Sequence, residues 1–216
     1  MFKTACLFLA LGLTAVLAAE EIPAGFTNIT PPPGLKGWHI SQVNHHGNTT
    51  AWKVEDGVLS VTQDRKDNGG ILLTDAKYKD FEIYLELNPD YGCDSGLFLR
   101  SNEQGDAYQV MLDYLPGGNM GGIYGEGLKG VKGAPADWEK HWKKGEWNTL
   151  RVRMEGSAPH IQVWMNGTQI TDWTDTANHL AGDAEDGMIA LQIHGGSRCT
   201  PDKYHRFRNI GMKEIK

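Results

Sequence analysis

Strict alternation most constrains what this chain can become. In DFEIYLELN, Phe81, Ile83, Leu85 and Leu87 fall on one side of an extended backbone, and Glu82, Tyr84 and Glu86 on the other. A period of two suits a half-buried strand and cannot serve a helix. Related runs recur down the chain: GGILLT, SGLFLRS, AYQVMLDYL, GEWNTLRVRMEG, HIQVWMNGTQITDW, GMIALQIHGG and HRFRNIGMKEI. AWKVEDGVLSVT predicts a hairpin turning at Asp56-Gly57, and Asn166-Gly167 predicts another. The one helical signal is PADWEKHWKKG, where Trp138 and Trp142 lie four residues apart. About ten short strands with almost no helix predict an all-β protein, an antiparallel sandwich or jelly roll of two sheets. A closed barrel is the alternative, disfavoured by the unequal strand lengths.

The 216 residues suit a single domain with a sizeable core. Residues 1–19 read as a secretory signal: Lys3, an apolar run, then small residues before Glu20. Residues 20–35 form an extended lead-in, because Pro31, Pro32 and Pro33 resist helix and central strand alike. Residues 36–216 form the single domain. No later segment is long and apolar enough to span a membrane. The expected location is therefore outside the cytoplasm of a bacterium, periplasmic or secreted. The net charge of −6, with no stripe of Lys and Arg among aromatics, argues against nucleic acid as a partner. Cys6 leaves with the signal, so Cys93 and Cys199 remain, as one disulfide or as two free thiols. No CxxC spacing supports a cysteine metal site.

Three strands carry unusual polar faces. GLFLR puts Gly96, Phe98 and Arg100 opposite Leu97 and Leu99. YQVMLD puts Gln109, Met111 and Asp113 opposite Tyr108, Val110 and Leu112. ALQIH puts Ala190, Gln192 and His194 opposite Leu191 and Ile193, before two glycines. Amide, imidazole, guanidinium and carboxylate mixed with small apolar residues describe a half-shielded groove floor, provided the strands share one sheet. Imidazole can act as acid, base or metal ligand. Arginine offers a fork to oxygen-rich groups, and glutamine both donates to and accepts from hydroxyls. The glycine-rich run DYLPGGNMGGIYGEGLKG follows, with Tyr124 presented among small residues. Trp138 and Trp142 are either a stacking wall for a sugar or packing for a short helix. His45 and His46 lie in unpatterned sequence, and no role is assigned to them. Arg208 in FRNI reads as a structural partner for an acid.

Taken in order, DFEIYLELN, CDSGLFLRS, YQVMLDY, GGIYG, GEWNTLRV, VWMNG, LQIHGG and FRNIGMKEI resemble the 3-keto-disaccharide hydrolase family, from about residue 36 to the end. The resemblance implies a concanavalin A-like jelly roll, bacterial export and a glycoside substrate already oxidised to a ketone at C3. Two positions depart from the family pattern: Asp94, where Asn is common, and Gln109, where Glu is common. A C3 ketone acidifies the C2 proton, so the implied reaction is base-assisted elimination of the C1 oxygen followed by hydration. On that chemistry His194 is the expected base, and Asp113 is its partner. Arg100 or a divalent metal ion, held by Asp113 and His194, would stabilise the enolate. Gln109, Gln192, Tyr124 and Trp138 would bind the sugar. Two alternatives stand beside this reading. One is a lectin-like, non-catalytic carbohydrate-binding module. The other is direct hydrolysis by Glu82 and Glu86, which share a strand face.

Overall fold

A computed structural model describes residues 21–216, so the predicted leader, 1–19, lies outside the described residues. In chain order the strands are β1 (Thr27–Asn28), β2 (Trp38–Ile40), β3 (Lys53–Glu55), β4 (Val58–Val61), β5 (Gly70–Tyr78), β6 (Phe81–Leu87), β7 (Ser95–Ser101) and β8 (Ala107–Met111). Then come β9 (Ile123–Glu126), β10 (Lys132–Gly133), β11 (Asn148–Glu155), β12 (His160–Met165), β13 (Thr168–Thr174), β14 (Gly187–Ile193) and β15 (His205–Glu214). They form two antiparallel sheets. One runs β13-β12-β11-β6-β15-β4-β3, with β1 added to β15; the other runs β10-β9-β8-β7-β14-β5-β2. Two separate sheets rule out the closed barrel.

The alternation read from the sequence sets the core. Phe81, Ile83, Leu85 and Leu87 of β6 and Leu150, Val152 and Met154 of β11 belong to one buried cluster. Leu97 and Leu99 of β7, Tyr108 and Val110 of β8, and Ile189, Leu191 and Ile193 of β14 belong to the same cluster. These are the inner faces of the two sheets, interdigitated as in any aligned sandwich. Both predicted hairpin turns are present: Asp56 and Gly57 have φ of 48° and 75°, and Asn166 and Gly167 have 47° and 83°, values that suit a turn flanked by twisted strands.

The lead-in is built into the sandwich. β1 pairs with Met212 and Gly211, and Trp38 donates its indole N–H to the Ile29 carbonyl at 2.8 Å. Cys93 and Cys199 form a disulfide at an isolated antiparallel bridge, with Cα atoms 3.9 Å apart. The helical signal resolves to one 3-10 turn, Trp138–Lys140. Trp138 is 7% exposed and packs in the core, so its predicted place against a sugar is not realised. Trp142 stacks on Tyr114 with ring centres 5.5 Å apart.

On the outer face of the larger sheet, Glu82 and Glu86 are tied up in ion pairs. Glu82 meets Arg153 at 2.9 Å. Glu86 accepts from Arg208 at 2.7 Å and from Asn209 at 2.7 Å. Arg208 also lies over the Trp147 ring at 4.0 Å. Its role is structural, as expected, and the two glutamates sit on the wrong sheet to serve the groove described below.

His205 is wholly buried at the start of β15, stacked on Phe207 and close to Tyr114. Neither ring nitrogen makes a hydrogen bond of ordinary geometry. Burial pushes its pKa down to about 3, against the opposing pull of the Cys93 backbone and Asp90. The unfolded chain takes up this proton near 6.5, so between those pH values the unfolded state binds more protons and the folded state loses stability as pH falls. His205→Phe should flatten the acid limb of stability against pH relative to wild type. Urea titrations from pH 7 to pH 3.5 check this, and parallel limbs would refute it.

Candidate active site

The outer face of the smaller sheet is laid out by cross-strand register. One row reads Ile71, Gln192, Gly96 and Met111; the next reads Leu73, Ala190, Phe98, Gln109 and Tyr124. Ala107 faces Glu126 one step further along β8 and β9. Ile71, Leu73, Phe98, Ala107, Met188 and Ala190 form a second small apolar cluster, so this face is shielded although it lies outside the main core. Two loops cover it. Thr49 donates its backbone N–H to Gly69, and Gly196 donates to Asp67, at 2.9 Å each. A Cβ on Gly69 would lie 2.1 Å from the Ile193 carbonyl, and one on Gly195 would lie 2.1 Å from the Asp67 carbonyl. Backbone meets backbone here, and only glycine permits it. This is why β14 ends in two glycines.

Between the loops and β9 lies a cleft of about 700 Å³, lined by residues that include His45, His46, Asp94, Gln109, Tyr124, Glu126, His194 and Arg198. Gln109 is nearly buried, and Gly96 leaves it room: a Cβ there would lie 2.3 Å from the Gln109 amide nitrogen. Tyr124, its cross-strand neighbour, is 47% exposed. Gln192 is fully buried beneath, its Nε2 3.4 Å from His46 Nδ1. Gln109, Gln192 and His194, expected from the strand pattern, thus come together with Tyr124, which was expected on a glycine-rich loop and lies on β9.

Asp113 and Arg100 do not join them. β8 ends at Met111, so strand parity no longer governs Asp113. Its carboxylate accepts from the Leu115 backbone and does not line the cleft. The acid beside His194 is Asp94, with Nε2 to Oδ2 at 3.6 Å. Asp94 also accepts from Arg198 at 2.8 Å and from the Ser95 backbone. Arg100 has φ of 52° and lies where β7 bulges against β14: Phe98 faces Ala190, but Ser101 faces Met188. The bulge takes the side chain off the groove face. Arg100 is 1% exposed and donates to the Lys79 carbonyl at 2.7 Å, the Gly156 carbonyl at 2.9 Å and Asp80 at 3.0 Å. It fastens two turns.

The pattern also passed over His45, His46, Glu126 and Arg198. Glu126 was within reach, since it shares a face with Tyr124 two residues earlier. The histidines sit on an aperiodic loop that only the fold brings over the sheet. His45 Nε2 is 2.8 Å and His46 Nε2 3.7 Å from Glu126 Oε1. Ligand atoms of the three lie within 4.8 Å of one another. Two imidazoles and a carboxylate suit a divalent transition metal or zinc. His46 Nε2 is buried and makes no hydrogen bond, as expected of an atom that meets a cation. The set fits a metal ion better than the predicted pair Asp113 and His194, which the structure separates.

Burial lowers the His46 pKa to about 3, helped by His45 and His194. Burial likewise lowers His194 to about 4, helped by Arg198 and His45. Both rings are neutral near pH 7. Burial and the nearby Asp113 raise Asp94 to about 6, against the opposing pull of Arg198 and the Ser95 backbone. The cleft therefore offers an unprotonated imidazole and an ionised acid on one wall, with a cation-binding set on the other.

The sequence signature of the 3-keto-alpha-glucoside-1,2-lyase-like domain matches residues 25–213. The chain belongs to that family. Among curated proteins none matches this lyase-like chain in sequence. A candidate glycosyl hydrolase from Parabacteroides distasonis superposes with a TM-score of 0.63 at 22% identity, over 88% of this chain and 99% of that one. The carbohydrate-binding module CBM66 of Bacillus subtilis gives 0.56 at 15% identity, over 82% and 96%. The exoplasmic/lumenal domain of VIP36 gives 0.57 at 12%, over 91% of each chain. These likenesses show the fold: the lyase-like domain is a concanavalin A-like jelly roll.

Arg100→Met in this lyase-like domain should cost about 1–3 kcal/mol of stability, because it removes the donor shared by the Lys79 and Gly156 carbonyls and Asp80. Saccharide binding at the cleft should survive in the protein that folds. Urea denaturation and ligand titration check this; loss of binding without loss of stability would return Arg100 to the site.

Proposed function

We propose that this chain cleaves glycosides already oxidised to a ketone at C3, by removing the C2 proton and expelling the C1 oxygen. The observation that carries the reading is the meeting, in one cleft, of a neutral imidazole beside a carboxylate with a second neutral imidazole whose ring centre is 5.4 Å away and which belongs to a metal-binding set. The family match supplies the substrate class.

His194 takes the C2 proton. Its Nε2 lies 3.6 Å from Asp94, whose negative charge steadies the imidazolium as it forms. The C2–H electron pair delocalises onto the C3 ketone as an enolate. It then returns as the C1–C2 double bond while the C1–O bond breaks, and the departing oxygen takes a proton. Water added at C1 completes hydrolysis; release before that step makes the reaction a lyase reaction. His45, His46 and Glu126 would hold a divalent cation, which would supply Lewis-acid stabilisation of the developing negative charge. Gln109 holds a sugar hydroxyl, and the half-exposed ring of Tyr124 stacks on the sugar. The neutral amide of Gln109 serves binding, and no proton is routed through it.

The reading includes export to the periplasm or beyond. The basic and apolar start of the chain and the Cys93–Cys199 disulfide support it. Amino-terminal sequencing of protein from a bacterial host should find a start at residue 19 or 20 in the exported fraction; an uncut cytoplasmic chain would refute it.

A chromogenic 3-keto-glucoside tests the chemistry. Turnover should show a primary isotope effect with deuterium at C2, and should fall on chelation and return with Mn²⁺ or Co²⁺. His194→Ala should lose about 10²–10⁴ in rate. A loss below tenfold would remove His194 as the base. Saccharide binding without turnover would identify a lectin-like module instead.

A further inference from the structure

Gln192 is an amide set in the middle of an otherwise apolar, fully buried strand, with Ile71 and Gly96 as its cross-strand neighbours. Its one side-chain hydrogen bond among the described residues is with His46: Nε2 to Nδ1 at 3.4 Å. Its Oε1 is buried without a partner, and so is His46 Nε2. Two orphaned polar atoms thus lie on either side of a single contact.

The oxygen and nitrogen of a glutamine amide exchange places by a half-turn of the group, and hydrogen-bond logic chooses between the two settings. With nitrogen toward His46, Nδ1 must be the acceptor, and the ring proton sits on Nε2. That proton points toward Glu126 at 3.7 Å, too far for a hydrogen bond. With oxygen toward His46, Nδ1 carries the proton and donates it to Gln192. Nε2 then presents a lone pair toward Glu126 Oε1, beside His45 Nε2. A lone pair facing a carboxylate is unfavourable unless a cation lies between them. Either setting leaves one amide atom without a protein partner, so the choice is decided at the imidazole.

We infer that Gln192 is a positioning residue: its amide oxygen accepts the Nδ1 proton of His46 and fixes the tautomer whose Nε2 ligates a divalent cation together with His45 and Glu126. Metal-ligating imidazoles ordinarily use their second nitrogen in this way, and loss of the acceptor typically costs 10–100-fold in metal affinity. The amide on a buried strand thereby prepares a ligand on a mobile class of structure, a surface loop. This inference rests on the metal-binding reading of the cleft, and its readouts are independent of turnover.

The test uses the folded protein with ¹⁵N-labelled histidine. In wild type saturated with diamagnetic Zn²⁺, His46 should carry its proton on Nδ1. Co²⁺ alone, titrated by calorimetry and by its visible absorption, should bind. Gln192→Met removes the acceptor at nearly constant volume; it should weaken Co²⁺ about 10–100-fold. Gln192→Glu keeps an oxygen acceptor and should retain both the tautomer and tight binding. Glu126→Gln should also weaken Co²⁺, because it removes the anionic ligand. Melting of the metal-free proteins shows that each variant is folded; if Gln192→Met is not, wild type and Gln192→Glu decide. A His46 proton on Nε2 in Zn²⁺-saturated wild type, or equal Co²⁺ affinity in folded Gln192→Met and wild type, overturns the inference. Co²⁺ binding with the Nδ1 tautomer but no action on any 3-keto-glycoside overturns the functional reading and leaves this inference standing.

Discussion

The contact on which the cleft depends is between two stretches of bare backbone. Gly69 lies against the Ile193 carbonyl and Gly195 against the Asp67 carbonyl, each too close for a side chain. Because they touch, the loop after β4 lies over the end of β14, and the loop after β2 lies over that one through Thr49 and Gly69. The outer face of the smaller sheet would otherwise be a solvated flank. Covered in this way, it becomes a walled cleft, and side chains from β8, β9 and β14 face a histidine pair that is distant in sequence.

Enclosure also sets the chemistry. Desolvation is the largest cause of the shifts at His46, His194 and Asp94. It keeps the imidazoles unprotonated and opposes ionisation of the acid. An open sheet face carrying the same residues would have none of these effects. The opposite sheet makes the contrast. Its outer face carries Glu82, Glu86, Arg153 and Arg208, paired with one another, and forms a structural network in place of a reactive one.

Much of this was legible in the residues. Alternation gave the inner faces of β6, β7, β8 and β14, and the Asp-Gly and Asn-Gly turns fell where expected. Gln109 and Gln192 followed from parity because the pairing around them is regular, and His194 kept to the groove although β14 ends one residue before it. Arg100 did not follow, because one extra residue opposite Ile189 reverses the face, and a bulge leaves no mark in a pattern of apolar and polar letters. Asp113 failed for a simpler reason: the strand stops two residues earlier. His45 and His46 have no period to betray them, and their position is decided by the glycine contact far along the chain. Trp138 is apolar bulk that fits a core or a sugar equally well, and the fold spent it on the core.

The disulfide joins Cys93 to Cys199, the immediate neighbours of Asp94 and Arg198. The salt bridge that steadies the wall beside His194 is therefore held together by a covalent staple one residue away on each strand. A newly made chain with its thiols still reduced lacks that staple, and its acid and guanidinium must find each other unaided. The covalent link thus fixes the spacing of the two residues whose charges meet at that wall.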